Sequence, residues 1–120
     1  MNILIQRVKH ASVNVNNQDI AHINQGLLVF VGLEKDDTAT LLKKVTHKLL
    51  NYRIFSDEND KMNLNVQEID GELLIVSQFT LAAQTSKGLR PGFSSALHPD
   101  QSEPLFAQLV ESVKASYPKV

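Results

Sequence analysis

A change of hydrophobic period at Asp37 and Thr38 limits this chain more than any other feature. Before it, Ile3, Ile5 and Arg7 alternate with Leu4, Gln6 and Val8, and Ser12 to Asn16 alternates strictly, the pattern of strands with two unlike faces. After it, Leu41, Leu42, Val45, Leu49 and Leu50 fall at helical spacing behind a candidate N-cap. One amphipathic helix therefore interrupts a β-rich chain. Asn16-Asn17-Gln18-Asp19 and Asn24-Gln25-Gly26 carry turn chemistry, which makes Ile20 to Ile23 a short strand and Leu27 to Leu33 a buried one. β character returns at Tyr52 to Phe55 and, after a solvated turn from Ser56 to Asp60, at Met62, Leu64 and Val66. Ile69-Asp70-Gly71 is a further turn, and Leu73 to Leu81 is apolar enough for a central strand.

Ala82 to Pro99 follows neither period and reads as a long loop, a length that in compact domains is functional or disordered. Asp100 with Glu103 has the form of a capping box before a second helix marked by Leu105, Leu109 and Val113. The order predicts an α+β fold, mostly antiparallel strands covered by two helices. With 120 residues the chain has room for one domain, 1–120, and one core.

The absence of cysteine excludes a disulfide framework, a thiol nucleophile and Cys-based metal sites. No apolar run approaches the ~20 residues that span a bilayer, and Met1 to Arg7 lacks the features of a signal peptide. The expectation is a cytoplasmic protein with no membrane partner. A net charge of −1 gives the chain no bulk attraction for nucleic acid, and no DNA partner is expected. Between Glu72 and Asp100 there is no carboxylate, while Lys87 and Arg90 fall among Ser77, Thr80, Thr85, Ser86, Ser94 and Ser95. Such a segment suits phosphate or sugar contacts, or is simply a polar surface loop.

His10, His22, His47 and His98 are scattered without metal-ligand spacing, and Asp57, Glu58 and Asp60 lack the Gly and terminal Glu of a calcium loop, so no metal or other cofactor is expected. Gly92-Phe93-Ser94-Ser95 is not a hydrolase elbow, and Ser86-Lys87-Gly88 is not a P-loop. Ser77-Gln78-Phe79-Thr80-Leu81 differs in kind, placing two hydroxyls and an amide at the end of an apolar strand. It is either a core strand with satisfied hydroxyls or a site; Ser77 and Thr80 meet only if the strand bulges or ends there.

The chain resembles the D-aminoacyl-tRNA deacylases, which hydrolyse the ester joining a D-amino acid to tRNA. The likeness runs nearly end to end, through Asn2 to Val8, Tyr52 to Asp57, Lys61 to Val66, Ser77 to Leu81 and Gly88 to Phe93. It implies a homodimer with a barrel-like core and active sites at the subunit interface. It also implies that Ser77, Gln78 and Thr80 are the catalytic positions and that Phe79, Arg7, Met62, Lys87 and Arg90 contact the 3′ end of the aminoacylated tRNA. The family's Gly-Pro pair, which excludes L-amino acids, has no counterpart: none of Pro91, Pro99, Pro104 and Pro118 follows a glycine. Either the sequence is a shortened version lacking the C-terminal strand, or the protein lacks the usual chiral selector.

An aminoacyl ester is already activated, so hydrolysis needs positioning, oxyanion stabilisation and an attacking group. Thr80 is either a nucleophile or a binding group beside a substrate whose own 2′-hydroxyl assists. The acid-free surroundings offer no evident base and favour the second. Backbone amides near Phe79 and Thr80 are then the candidate oxyanion donors. A non-catalytic tRNA- or nucleotide-binding module is the alternative function.

Overall fold

A computed structural model describes residues 1–78, 89 and 97–120. Its elements are β1 (Asn2–Val8), β2 (Ala11–Val15), β3 (Gln18–Ile23), β4 (Gly26–Gly32), α1 (Ala39–Asn51), β5 (Phe55–Ser56), β6 (Met62–Leu64), β7 (Glu72–Ser77) and α2 (Pro99–Ser116). This is the expected α+β class. Among the described residues no helix is long and apolar enough to cross a membrane.

Three strands form the main sheet in the order β1-β4-β7, with β1 antiparallel and β7 parallel to β4. Alternation along β4 explains the layering. Leu27, Val29 and Val31 are fully buried and join Leu42, Leu49, Leu50, Leu109 and Val113 of the helices in one core. Their neighbours Leu28 and Phe30 point to the other face and are half-buried. The helices are tied to each other by a hydrogen bond of 2.8 Å between the hydroxyls of Thr46 and Ser112.

β2 and β3 form a hairpin whose turn is only Asn16-Asn17, both left-handed at φ 52° and 64°. Consecutive positive φ values are the two-residue hairpin geometry that asparagine tolerates. Gln18 and Asp19, expected in the turn, therefore already belong to the strand.

Four expectations need correction. The strand at Tyr52 to Phe55 shrinks to Phe55–Ser56, because Tyr52 caps α1 by donating its N–H to Lys48 O. Among the described residues the stretch from Leu73 flanks the three-stranded sheet, with β4 at its centre, and β7 ends at Ser77. Asp100 lies in the first turn of α2, whose N-cap is His98, its ring accepting the Asp100 N–H. Pro99 at the first helical position needs no N–H partner, and the cap lies two residues upstream of the expected one. Thr38 caps α1 by position without a side-chain hydrogen bond.

Candidate active site

Ser77 ends β7 beside Val31 of β4, and the Gln78 N–H donates to Val31 O at 2.8 Å. The backbone is thus held by the sheet while both side chains are exposed. A reading of Ser77 as a satisfied core hydroxyl does not survive this. Partners in a ladder share a face, so Ser77 projects on the helix side of the sheet and Gln78 on the other.

Phe79, Thr80, Lys87 and Arg90 lie outside the described residues. The chain leaves them at Leu97, whose N–H donates to Leu33 O at 2.9 Å. Gln78 and Leu97 are therefore both anchored at the C-terminal end of β4.

The Met1 ammonium sits at this end too, where Asn2 pairs with Gly32. It donates to Asp37 Oδ1 at 2.8 Å and Glu34 Oε1 at 3.1 Å. Burial lowers the affinity of this amine for its proton, but the bonds and charges of Asp37 and Glu34 outweigh burial and raise its pKa above 8.0. Asp37 spends its other oxygen on the Glu34 N–H, at 2.7 Å.

Arg7 and Met62 belong elsewhere. Arg7 is opposite Leu27, at the far end of the sheet, and lines a hollow with Gln25, Phe55, Ser56 and Ile69. Met62 is the register partner of Ser56 and is 64% exposed. The described resemblance-derived residues thus fall into two groups: Ser77 with Gln78 at one end, and Arg7 with the β5–β6 hairpin at the other. Four residues of strand rise and two strand spacings separate the groups, ~13 Å along the sheet and ~10 Å across it.

Asp57, in the acidic turn, accepts the N–H groups of Asn59 and Lys61 and the Asn63 amide. The Lys61 N–H is the main cause of its lowered pKa. Its carboxylate closes a turn.

One group that sequence reasoning missed is the basic outer side of α1. Thr38 to Ser56 contains no carboxylate but carries Lys43, Lys44, Lys48 and Arg53, a signal as open to inspection as the segment after Glu72.

Comparison with known proteins places these observations in one family. A family model described as D-Tyr-tRNA(Tyr) deacylase matches residues 4–120. A "D-aminoacyl-tRNA deacylase" of Pseudoalteromonas translucida (strain TAC 125) is 58% identical over 112 residues, 93% of this chain and 77% of the relative. One from Marinomonas sp. (strain MWYL1) is 53% identical over 120 residues, 100% of this chain and 83% of the relative. A solved structure described as "c-Myc DNA Unwinding Element Binding Protein" superimposes with a TM-score of 0.90 at 36% identity, covering 98% of this chain and 78% of that one.

Proposed function

We infer from its membership of the D-Tyr-tRNA(Tyr) deacylase family, to which this chain belongs, how its described geometry serves the reaction of that family. The chain is a hydrolase that cleaves the ester bond of D-aminoacyl-tRNA, releasing the D-amino acid and tRNA. A non-catalytic binding module is not favoured by relatives that are named as deacylases. The observation that carries the site assignment is Ser77-Gln78, exposed at a strand end whose backbone is pinned to Val31. A rigid strand terminus with free polar side chains suits the positioning that an activated ester needs.

In the proposed reaction, water adds to the ester carbonyl and the negative charge on its oxygen is held by backbone N–H groups near Phe79 and Thr80. The ribose 2′-hydroxyl assists the attack, and the intermediate expels the ribose 3′-oxygen, which takes up a proton. Ser77, Gln78 and Thr80 orient the substrate, Thr80 without forming an acyl-enzyme. Phe79, Lys87 and Arg90 contact the 3′ end of the tRNA. The protein acts in the cytoplasm, where aminoacyl-tRNA is used.

The working unit in this reading is a homodimer with its sites at the interface. Two features support it. The outer face of the main sheet carries Leu4, 53% exposed, beside half-buried Phe30 and Val76, an apolar surface of the kind that pairs with another chain. The diagonal separation of Arg7 from Ser77 also keeps the two apart within one chain. An interface site draws Ser77 and Gln78 from one subunit and Arg7 and Met62 from the other.

Release of D-amino acid from D-aminoacyl-tRNA by the purified 120-residue chain, against an enzyme-free control, tests the activity. Hydrolysis no faster than the control would overturn it. A substrate ending in 2′-deoxyadenosine should react far more slowly, and mass spectrometry of the quenched reaction should find no acyl group on Thr80; either opposite result removes the substrate-assisted step.

A further inference from the structure

The outer side of α1 is a positively charged surface on a chain with a net charge of −1. Helical spacing puts Lys43, His47 and Asn51 on one ridge and Lys44 with Lys48 on the next, and all five are exposed. Leu42, Thr46, Leu49 and Leu50 occupy the buried side. Together with Tyr52, these five line a shallow hollow of ≈ 580 Å³. The Lys48 ammonium lies 5.8 Å from the centre of the exposed Tyr52 ring.

No structural use within the described residues accounts for Lys43 and Lys44. Among the described residues none of the three lysines makes an ion pair. Lys44 and Lys48 are like charges one turn apart, an arrangement that weakens a helix. Lys48 lies in the last turn, where the helix dipole favours a cation; Lys43 and Lys44 lie in the half where it does not. Lys48 and Tyr52 also line the groove containing Ile3 and Ile5, so this surface flanks the β1 side of the sheet, away from Ser77 on β7.

We propose that the Lys43, Lys44 and Lys48 face of α1 binds the phosphodiester backbone of the substrate RNA, at a distance from the ester. Resting on the deacylase reading for the identity of that RNA, it adds a contact surface to the site. Three exposed cations without an ion-pair partner among the described residues match a row of phosphates, and displaced counterions supply the affinity. Tyr52 adds an exposed aromatic ring, the residue type that stacks on unpaired bases. The separation from Ser77 suits tRNA, which extends far beyond its aminoacylated end.

The test is binding of an uncharged tRNA transcript across a salt series, by the unaltered chain, by Lys43→Gln/Lys44→Gln/Lys48→Gln, and by the corresponding triple Arg variant. The Gln variant should bind about tenfold more weakly at low salt, with the slope of log K against log[salt] reduced by about two. The Arg variant should keep both. An unchanged slope in the Gln variant, or equal loss in the Arg variant, would overturn the proposal. Equally tight, equally lysine-dependent binding of a DNA duplex of acceptor-stem sequence would overturn the RNA assignment. Hydrolysis of D-aminoacyl-tRNA by the unaltered chain is scored separately: its failure would remove the deacylase reading and leave the binding result standing.

Discussion

Arg7 and Ser77 stand on the same face of the main sheet at diagonally opposite corners, Arg7 across from Leu27 and Ser77 beside Val31. The register leaves no freedom to bring them together within one chain, because β1 and β7 are both locked to β4.

Mixing two variants, each expected to be inactive, tests the proposed interface site. Equal amounts of Arg7→Ala and Ser77→Ala, dissociated and reassembled, should regain about a quarter of the native sites, since half of the dimers are mixed and each holds one intact site. Deacylation that stays at the level of the separate variants would show that each chain uses its own Arg7, or none.

Gly26→Ala should be severely destabilising. A Cβ at Gly26 would come within 1.8 Å of the Glu72 carbonyl oxygen, and that atom is backbone in the partner strand. Relief requires β4 and β7 to part, at a cost of about 3 kcal/mol or more. At Gly71 the nearest contacts are 3.1 Å, to side chains of Ile69 and Val66, so Gly71→Ala should cost clearly less in denaturant unfolding.

Thr46→Val should lower stability by about 1 kcal/mol, by leaving the Ser112 hydroxyl without its partner between the helices. The double variant Thr46→Val/Ser112→Ala should be more stable than the sum of the single losses implies, and urea midpoints for the four proteins give the coupling.

Alkaline pH should weaken the fold through Met1. Folding raises the pKa of the terminal amine above 8.0, so its contribution is complete below that pH and fades as pH climbs through the higher folded value. Thermal midpoints between neutral pH and pH ~10 should fall more steeply for the native chain than for Asp37→Asn, which removes one partner. Parallel curves would show that the ammonium contributes nothing.

Much of the fold was legible because period and burial agree. Val29 and Val31 are apolar in sequence and fully buried, and the helical spacing from Leu41 to Leu50 corresponds to α1. Short-range signals failed where a neighbour competed for the same residue: Tyr52 has strand propensity, yet its N–H is taken by the last turn of α1. Apolarity does not say which neighbours a strand takes: the start of β7 is covered on its other side by residues after α2, with the Leu73 N–H donating to Lys119 O and the Tyr117 hydroxyl to Gly71 O.

The candidate site was legible as residue types and not as a place. Ser77 and Gln78 announced themselves by polarity at the end of an apolar run. That Arg7 lies at the other end follows only from the pairing of β1 with β4, which no local pattern encodes. The basic side of α1 is written in the same stretch as its apolar stripe, at the positions between Leu42, Thr46 and Leu49.

The parallel pairing of β4 with β7 also fixes when the site comes into being. Between Gly26 and Glu72 the chain must lay down α1 and the β5–β6 hairpin before β7 can align. Such a distant closure is slow, because the chain loses the entropy of the whole intervening loop before the ladder rewards it. β1 and β4 precede that stretch in the chain, and Ser77 acquires its fixed position only when β7 docks. The place of Ser77 is therefore gained only once β7 has found β4 across everything the chain lays down between them.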